Sequence, residues 1–266
     1  AQAIEEFLTM YSARVTVICE GLTQAAPLFQ ALLDSGVGNI VCDTEIEGIQ
    51  QEIRECLSGQ GMTRYAAKER PDRAGGQEKY RFDCRNVVVV VIGSQARIGT
   101  TTAAVGLCAW LARVGASVCY VEAHAGGHLA ALARGYEMKA EEGGWQFEGV
   151  RYRSTEPKGD VNFVVHDLGS DFAGKRELLE NADIKLLVCG TKPYELGFTV
   201  RLQASLAGIY AYLLCPFVAE GMKDDLAEAL QNDYHKVMFS EYQPELTDSD
   251  CNGKQYKNLI GKYIAG

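Results

Sequence analysis

The residues best suited to bind an anion lie in one stretch. Ser94-Gln95-Ala96-Arg97-Ile98-Gly99-Thr100-Thr101-Thr102 follows the wholly apolar run Val87–Ile92 and leads into Ala103–Leu111, which reads as a helix. A buried strand, a tight turn and a helix N-terminus, in that order, offer backbone N–H groups and the positive end of the helix dipole to a phosphate. A complete loop of this kind, G-x-x-x-x-G-K-[ST], also supplies a lysine for the β- and γ-phosphates and a hydroxyl for Mg²⁺. Gly99 sits at the turn and Thr101 holds the hydroxyl position, but Thr100 stands where the lysine belongs. Five places before Gly99 is Ser94, with Gly93 one step too early. A neutral hydroxyl does not replace an ammonium. A charge-assisted hydrogen bond is worth about 1.5–3 kcal/mol, so losing one weakens phosphate binding roughly ten- to hundredfold. Losing a donor that acts on developing charge costs about 10²–10³ in rate. Binding therefore outlasts hydrolysis. Arg97 is the one cation within the loop, and its fork of donors could reach phosphates here or on a dimer partner.

The elements that must hold this loop follow from periodicity. From Asn86 onward, strands without polar alternation (87–93, 117–122, 162–167, 184–189, 211–217 and 236–239) are separated by helical stretches (101–114, 127–134, 175–181, 194–209, 222–230 and 254–264), with two short strands within 145–153. That pattern predicts an α/β fold: a mostly parallel sheet with helices on both faces. Residues 1–58 alternate on a smaller scale: the end of a helix over Ala3–Met10, strands at 14–19 and 39–42, and helices over 23–33 and 45–57. The latter carries Ile46, Ile49, Ile53 and Cys56 on one side. Because it opens on Ala1 with an uncapped helix, this part reads as cut from a longer chain. Residues 59–85 are polar and glycine-containing and read as a linker, ending in a short edge strand at Tyr80–Cys84. The domains expected are thus 1–58, 59–85 and 86–266.

Composition narrows the function. With 266 residues, 47% hydrophobic, the chain can bury a large core. A net charge of −9 argues against a nucleic-acid-coating surface and leaves a local DNA contact open. Nine cysteines without a C-x-x-C pair fit small buried hydrophobes in a reducing cytoplasm. No apolar run is long enough to span a bilayer, no secretory signal is visible, and Asn258–Ile264 is too short and glycine-broken for an amphipathic anchor. There is no nucleophile elbow, and the glycines of a dinucleotide fingerprint are missing.

Residues 86–260 resemble the ParA/MinD family of P-loop ATPases, whose deviant loop reads G-K-G-G-x-G-K-[ST]-T. Ser94–Thr102 keeps its spacing, its final glycine and its two closing hydroxyls. Gln95 stands at the family's signature lysine and Thr100 at the general one. The resemblance extends to Val118–Glu122, a strand ending in an acidic residue, and to Phe163–Ser170, where Asp167 matches the magnesium-side carboxylate. Thr191-Lys192-Pro193-Tyr194 also resembles the family. It implies ATP and Mg²⁺ as ligands, Thr101 and Asp167 toward the metal, and Glu122 and Asp167 in catalytic positions, Glu122 orienting water or the metal's shell. It also implies a homodimer through the nucleotide face, with protein partners in a larger assembly. Within the family the architecture resembles the TadZ-type proteins of pilus assembly, since residues 13–57 are similar to the last two strand–helix units of a receiver.

Three readings follow. The first is an ATP/Mg²⁺-binding, hydrolysis-impaired scaffold that localises or assembles a larger machine. The second is a slow ATPase using Arg97 in place of the lysine. The third is a nucleotide-free interaction module that keeps only the shape. The remaining polar candidates read blandly. His124 and His128 are four apart, but Gly126-Gly127 interrupts a helix between them, which favours a loop near the site over metal ligation. His166 precedes Asp167 and is expected on the opposite sheet face, in or near the core. Lys158, Lys175, Arg176 and Lys192 read as a solvated face, and Phe217, Met222 and Phe239 as core.

Overall fold

The computed structural model describes residues 7, 14–23, 26–58, 61, 62, 64, 79–171, 174–243, 245–249 and 251–265. The expected helix over Ala3–Met10 lies outside them, Phe7 apart, as does the charged stretch 65–78. The chain divides into two compact units, 1–77 and 78–266.

In the first unit, β1 (Thr16–Ile18) and β2 (Asn39–Val41) pair in parallel, with α1 (Pro27–Asp34) between them and α2 (Ile46–Cys56) after. Proline at the start of α1 costs no hydrogen bond, since the first N–H groups of a helix have no partner within it. The core is small: Phe29, Leu32, Val37 and Ile40 on one side, Val41, Cys56 and Met62 on the other. Glu52 is buried on α2, and its carboxylate accepts from the amides of Cys42 (2.7 Å) and Asp43 (2.9 Å), fixing the chain as it leaves β2.

The second unit is built on a nine-stranded sheet. Its strands are β3 (Val87–Gly93), β4 (Val118–Glu122), β5 (Lys139–Glu141), β6 (Gly144–Phe147), β7 (Val150–Arg153), β8 (Phe163–Asp167), β9 (Ile184–Val188), β10 (Ala211–Cys215) and β11 (His235–Phe239). The spatial order is β11-β10-β9-β3-β8-β4-β7-β6-β5, parallel except where β5, β6 and β7 form an antiparallel meander. The helices are α3 (Thr100–Arg113), α4 (His128–Gly135), α5 (Arg176–Asn181), α6 (Leu196–Ser205), α7 (Lys223–Leu230) and α8 (Gly253–Ile260).

The valine run is unbroken because β3 is buried on both faces. Val87, Val89 and Val91 pack with residues of α3, α4 and α8, while Val90 and Ile92 pack with Leu179, Leu202 and Leu226 of α5, α6 and α7. Each such side chain contributes about 1.5–3 kcal/mol of burial. Trp110 of α3 sits between Tyr80 (ring centroids 6.3 Å apart) and Tyr256 of α8 (5.9 Å), tying the segment before β3 to the last helix.

Three expectations need correction. Tyr80–Cys84 forms no strand: the carbonyls of Phe82 and Cys84 are taken by the Asn162 side-chain amide (3.4 and 2.8 Å) rather than by a ladder. The strand expected to reach Phe217 ends at Cys215, before Pro216, which has no N–H to give. Phe217 and Met222 are exposed, 62% and 53%, rather than core. The outer strand β5 has no sequence signal because all three of its residues are exposed.

Replacing Trp110 with Ala removes a buried aromatic between two others, and we expect a loss of about 3–5 kcal/mol in urea unfolding. His235 is buried, and burial lowers its pKa from the ordinary 6.5. The native state therefore binds fewer protons than the unfolded one, so this contribution holds above pH 6.5 and is lost as pH falls through the native value. Urea midpoints measured at pH 7.5 and 5.5 should fall less in His235→Gln than in the wild type.

Candidate functional site

The loop between β3 and α3 opens at the C-terminal end of the sheet, where β3 lies between β8 and β9 and the chain leaves the strands in opposite directions. That is the usual ligand crevice of an open α/β sheet. Here a cleft of about 700 Å³ is lined by Gln95–Arg97, Gly99–Thr102, and the segments after β4 and β8. Gly99 caps α3 at φ 99° and Arg97 holds φ 63°, both left-handed. The second conformation costs a residue with a Cβ about 1–2 kcal/mol. Strain of this kind persists where the surrounding structure imposes it.

The side chains around this backbone behave differently from one another. Ala96 and Arg97 are exposed, and Ile98 is buried beneath the turn. The Thr100 side chain turns down into the protein, 7% exposed, its hydroxyl oxygen only 2.2 Å from where a Cβ on Gly93 would stand. Only glycine at 93 leaves room for it. Gln95 Nε2 donates to Glu195 (3.4 Å), and Ser94 Oγ accepts from the Gly190 amide (3.3 Å), so both are held toward the loop after β9. Thr102 lies between this cleft and a second, smaller cavity of about 120 Å³ bordered by Gly99, Pro216, Phe217 and Tyr256. Phe217 there is left-handed, φ 58°, and among the described residues the buried Tyr256 hydroxyl has no hydrogen-bond partner.

Asp167, fully buried, is the centre of the site. Among the described residues four donors converge on it: Thr101 Oγ1 (2.7 Å), Tyr120 OH (2.9 Å) and His124 Nε2 (3.3 Å) on Oδ2, and the Gly169 amide (2.9 Å) on Oδ1. Burial, then the Asp167 charge, drives the Tyr120 pKa far above its usual range, so the phenol stays a donor. Thr101 and Asp167, expected together, are together.

Glu122 is turned toward α4. Its Oε1 accepts from the amides of His128 (2.6 Å) and Leu129 (3.2 Å), satisfying two of that helix's otherwise unpaired N–H groups. His124 and His128, separated by the two glycines, meet in space with ring centroids 4.9 Å apart. His128 Nδ1 lies 3.3 Å from Thr101 Oγ1, and Lys175 hydrogen-bonds the Ala123 carbonyl at the cleft wall. Tyr120 and Lys175 carry no motif, and only the adjacency of β4 and β8 brings Tyr120 to the site. His166 is buried as expected, its pKa lowered by burial against the opposing pull of Glu156.

No protein-family model and no curated protein matches this chain. Among solved structures it is similar to the MinD cell division protein of Aquifex aeolicus, with 13% identity and a TM-score of 0.49 over 67% of this chain and 98% of that one. It is similar to the MinC:MinD cell division protein complex of the same organism, with 14% identity and a TM-score of 0.48 over 67% and 97%. A plasmid partition protein from Borrelia burgdorferi shows 9% identity and a TM-score of 0.47 over 67% and 97%. No helix among the described residues is long and apolar enough to cross a membrane.

Because Glu122 caps α4, Glu122→Ala should destabilise the protein by about 0.5–2 kcal/mol in urea unfolding.

Proposed function

We propose that this chain is a ParA/MinD-like scaffold that binds ATP with Mg²⁺, hydrolyses it slowly or not at all, and works by localising or assembling a larger complex such as a secretion or pilus machine. In this reading residues 1–58 are a partial receiver-like domain, the protein dimerises through the face carrying the loop, and it acts in the cytoplasm. The observation that carries it is the split between backbone and side chain in the loop. The left-handed Gly99 and Arg97 and the N-terminus of α3 shape the turn, whereas the neutral Thr100 side chain, though it borders the cleft, is 7% exposed with its hydroxyl against Gly93.

The donor set fits the ligands. Thr101 and Asp167 lie 2.7 Å apart at the helix entry, and the cleft has room for a triphosphate. Thr101 and Asp167 would hold Mg²⁺, which supplies charge neutralisation on the phosphates. The amides of residues 96–102 and the α3 dipole would hold the anion itself. Pro216, Phe217 and the unpaired Tyr256 hydroxyl offer an apolar wall and a donor to a base. Glu122 is engaged by the α4 amides, so a hydrolytic water has no evident base, in keeping with weak turnover.

A second reading, a slow ATPase, is favoured by one feature: Arg97 is exposed on the cleft and could swing over the phosphates.

Calorimetry with ATP and Mg²⁺ should find saturable binding, with phosphate release near background. Thr100→Lys should tighten binding roughly ten- to hundredfold. Absence of binding in the wild type would leave the interaction-module reading. Measurable turnover that collapses in Arg97→Ala would establish the second.

A further inference from the structure

We propose that Glu122, His124 and His128 form a binding site for a divalent transition-metal ion of the zinc class, open to the cleft, adjoining the Thr101–Asp167 pair and distinct from it in its ligands. One carboxylate oxygen and one ring nitrogen from each histidine lie within 4.8 Å of one another. His124 Nε2 is 3.9 Å from Glu122 Oε1, with both side chains mostly buried at 11% and 8% exposure, while His128 is exposed. Zinc–nitrogen bonds of about 2.0–2.1 Å place neighbouring ligand atoms roughly 3.3 Å apart in a tetrahedron, so closure needs a contraction of up to about 1.5 Å. The Gly126-Gly127 pair, with Gly127 already at φ 66°, can supply it.

Two imidazoles and one carboxylate select zinc-class ions over Mg²⁺, which prefers oxygen ligands. Binding through His124 Nε2 breaks its hydrogen bond to Asp167 (3.3 Å), moves the ring proton to Nδ1 and releases the Gly126 amide now hydrogen-bonded there (2.9 Å). Three protein ligands leave a coordination position for water or a phosphate oxygen. An ion here brings positive charge to the lip of a loop whose lysine positions hold Gln95 and Thr100. The site itself does not depend on nucleotide being bound.

The test uses the metals alone. The chelator-stripped full chain is titrated with Co²⁺ and then Zn²⁺, with millimolar Mg²⁺ present. One equivalent of Co²⁺ should give visible d–d absorption without a near-ultraviolet thiolate band, and one equivalent of Zn²⁺ should displace it. His128→Gln, at an exposed position, removes a direct ligand and should weaken zinc affinity by more than the roughly 10–100-fold that loss of an outer-shell partner costs. The pair His124→Gln with His128→Gln should abolish the cobalt spectrum while far-ultraviolet dichroism is unchanged. The proposal is overturned by lack of saturable uptake, by a thiolate charge-transfer band that assigns the metal to cysteines, or by uptake that His128→Gln leaves unchanged.

Discussion

A carboxylate withdrawn completely from water must be met by donors, and Asp167 organises the second unit around that requirement. Its partners come from four places in the chain: the first turn of α3, the middle of β4, the segment after β4 and the turn after β8. Each hydrogen bond draws an element toward the C-terminal end of the sheet. Removing any one of the side-chain donors would leave the others to share an unchanged desolvation cost. The cleft walls are therefore positioned by a carboxylate buried beneath the cleft's floor.

The loop above that floor separates two things that usually come together. Anion binding by main-chain amides depends on φ and ψ and on where a helix begins, and both are maintained here, even at Arg97 where the conformation is unfavourable for a side chain. Acceleration of phosphoryl transfer depends instead on charge placed at the reacting oxygens, and in the proposed reading the neutral Gln95 and Thr100 supply none: Gln95 is tied to Glu195, and Thr100 is packed over Gly93. The Thr100–Gly93 contact makes the floor of the turn compact, so the shape of the loop does not rely on an ammonium to fill it. In the proposed reading, a loop built in this way holds a phosphate chain and does little to cleave it.

Much of this was legible from residue order. Unalternated valines announced a strand buried on both faces, and the apolar faces of β3 divide between α3, α4 and α8 on one side and α5, α6 and α7 on the other, as a doubly covered sheet requires. The closeness of Thr101 to Asp167, 2.7 Å, was implied by the family resemblance and not by local spacing, since a hydroxyl at a helix start is by itself an ordinary cap. Less legible were elements without periodicity. Tyr80–Cys84 is apolar at alternate positions yet gives its carbonyls to the Asn162 side chain, and β5 is a strand with every residue exposed.

The linear chain by itself determined the α/β class, the position of the loop between strand and helix and the neutral residues at 95 and 100, because those depend on residue type and short-range spacing. Only the tertiary structure decided that Tyr120 donates to Asp167, that Glu122 caps α4, and that His124 and His128 converge across two glycines. Those contacts depend on β4 lying beside β8 and on α4 starting over the mouth of α3. Strand order and helix placement are set by the packing of the whole core, and no local spacing encodes them.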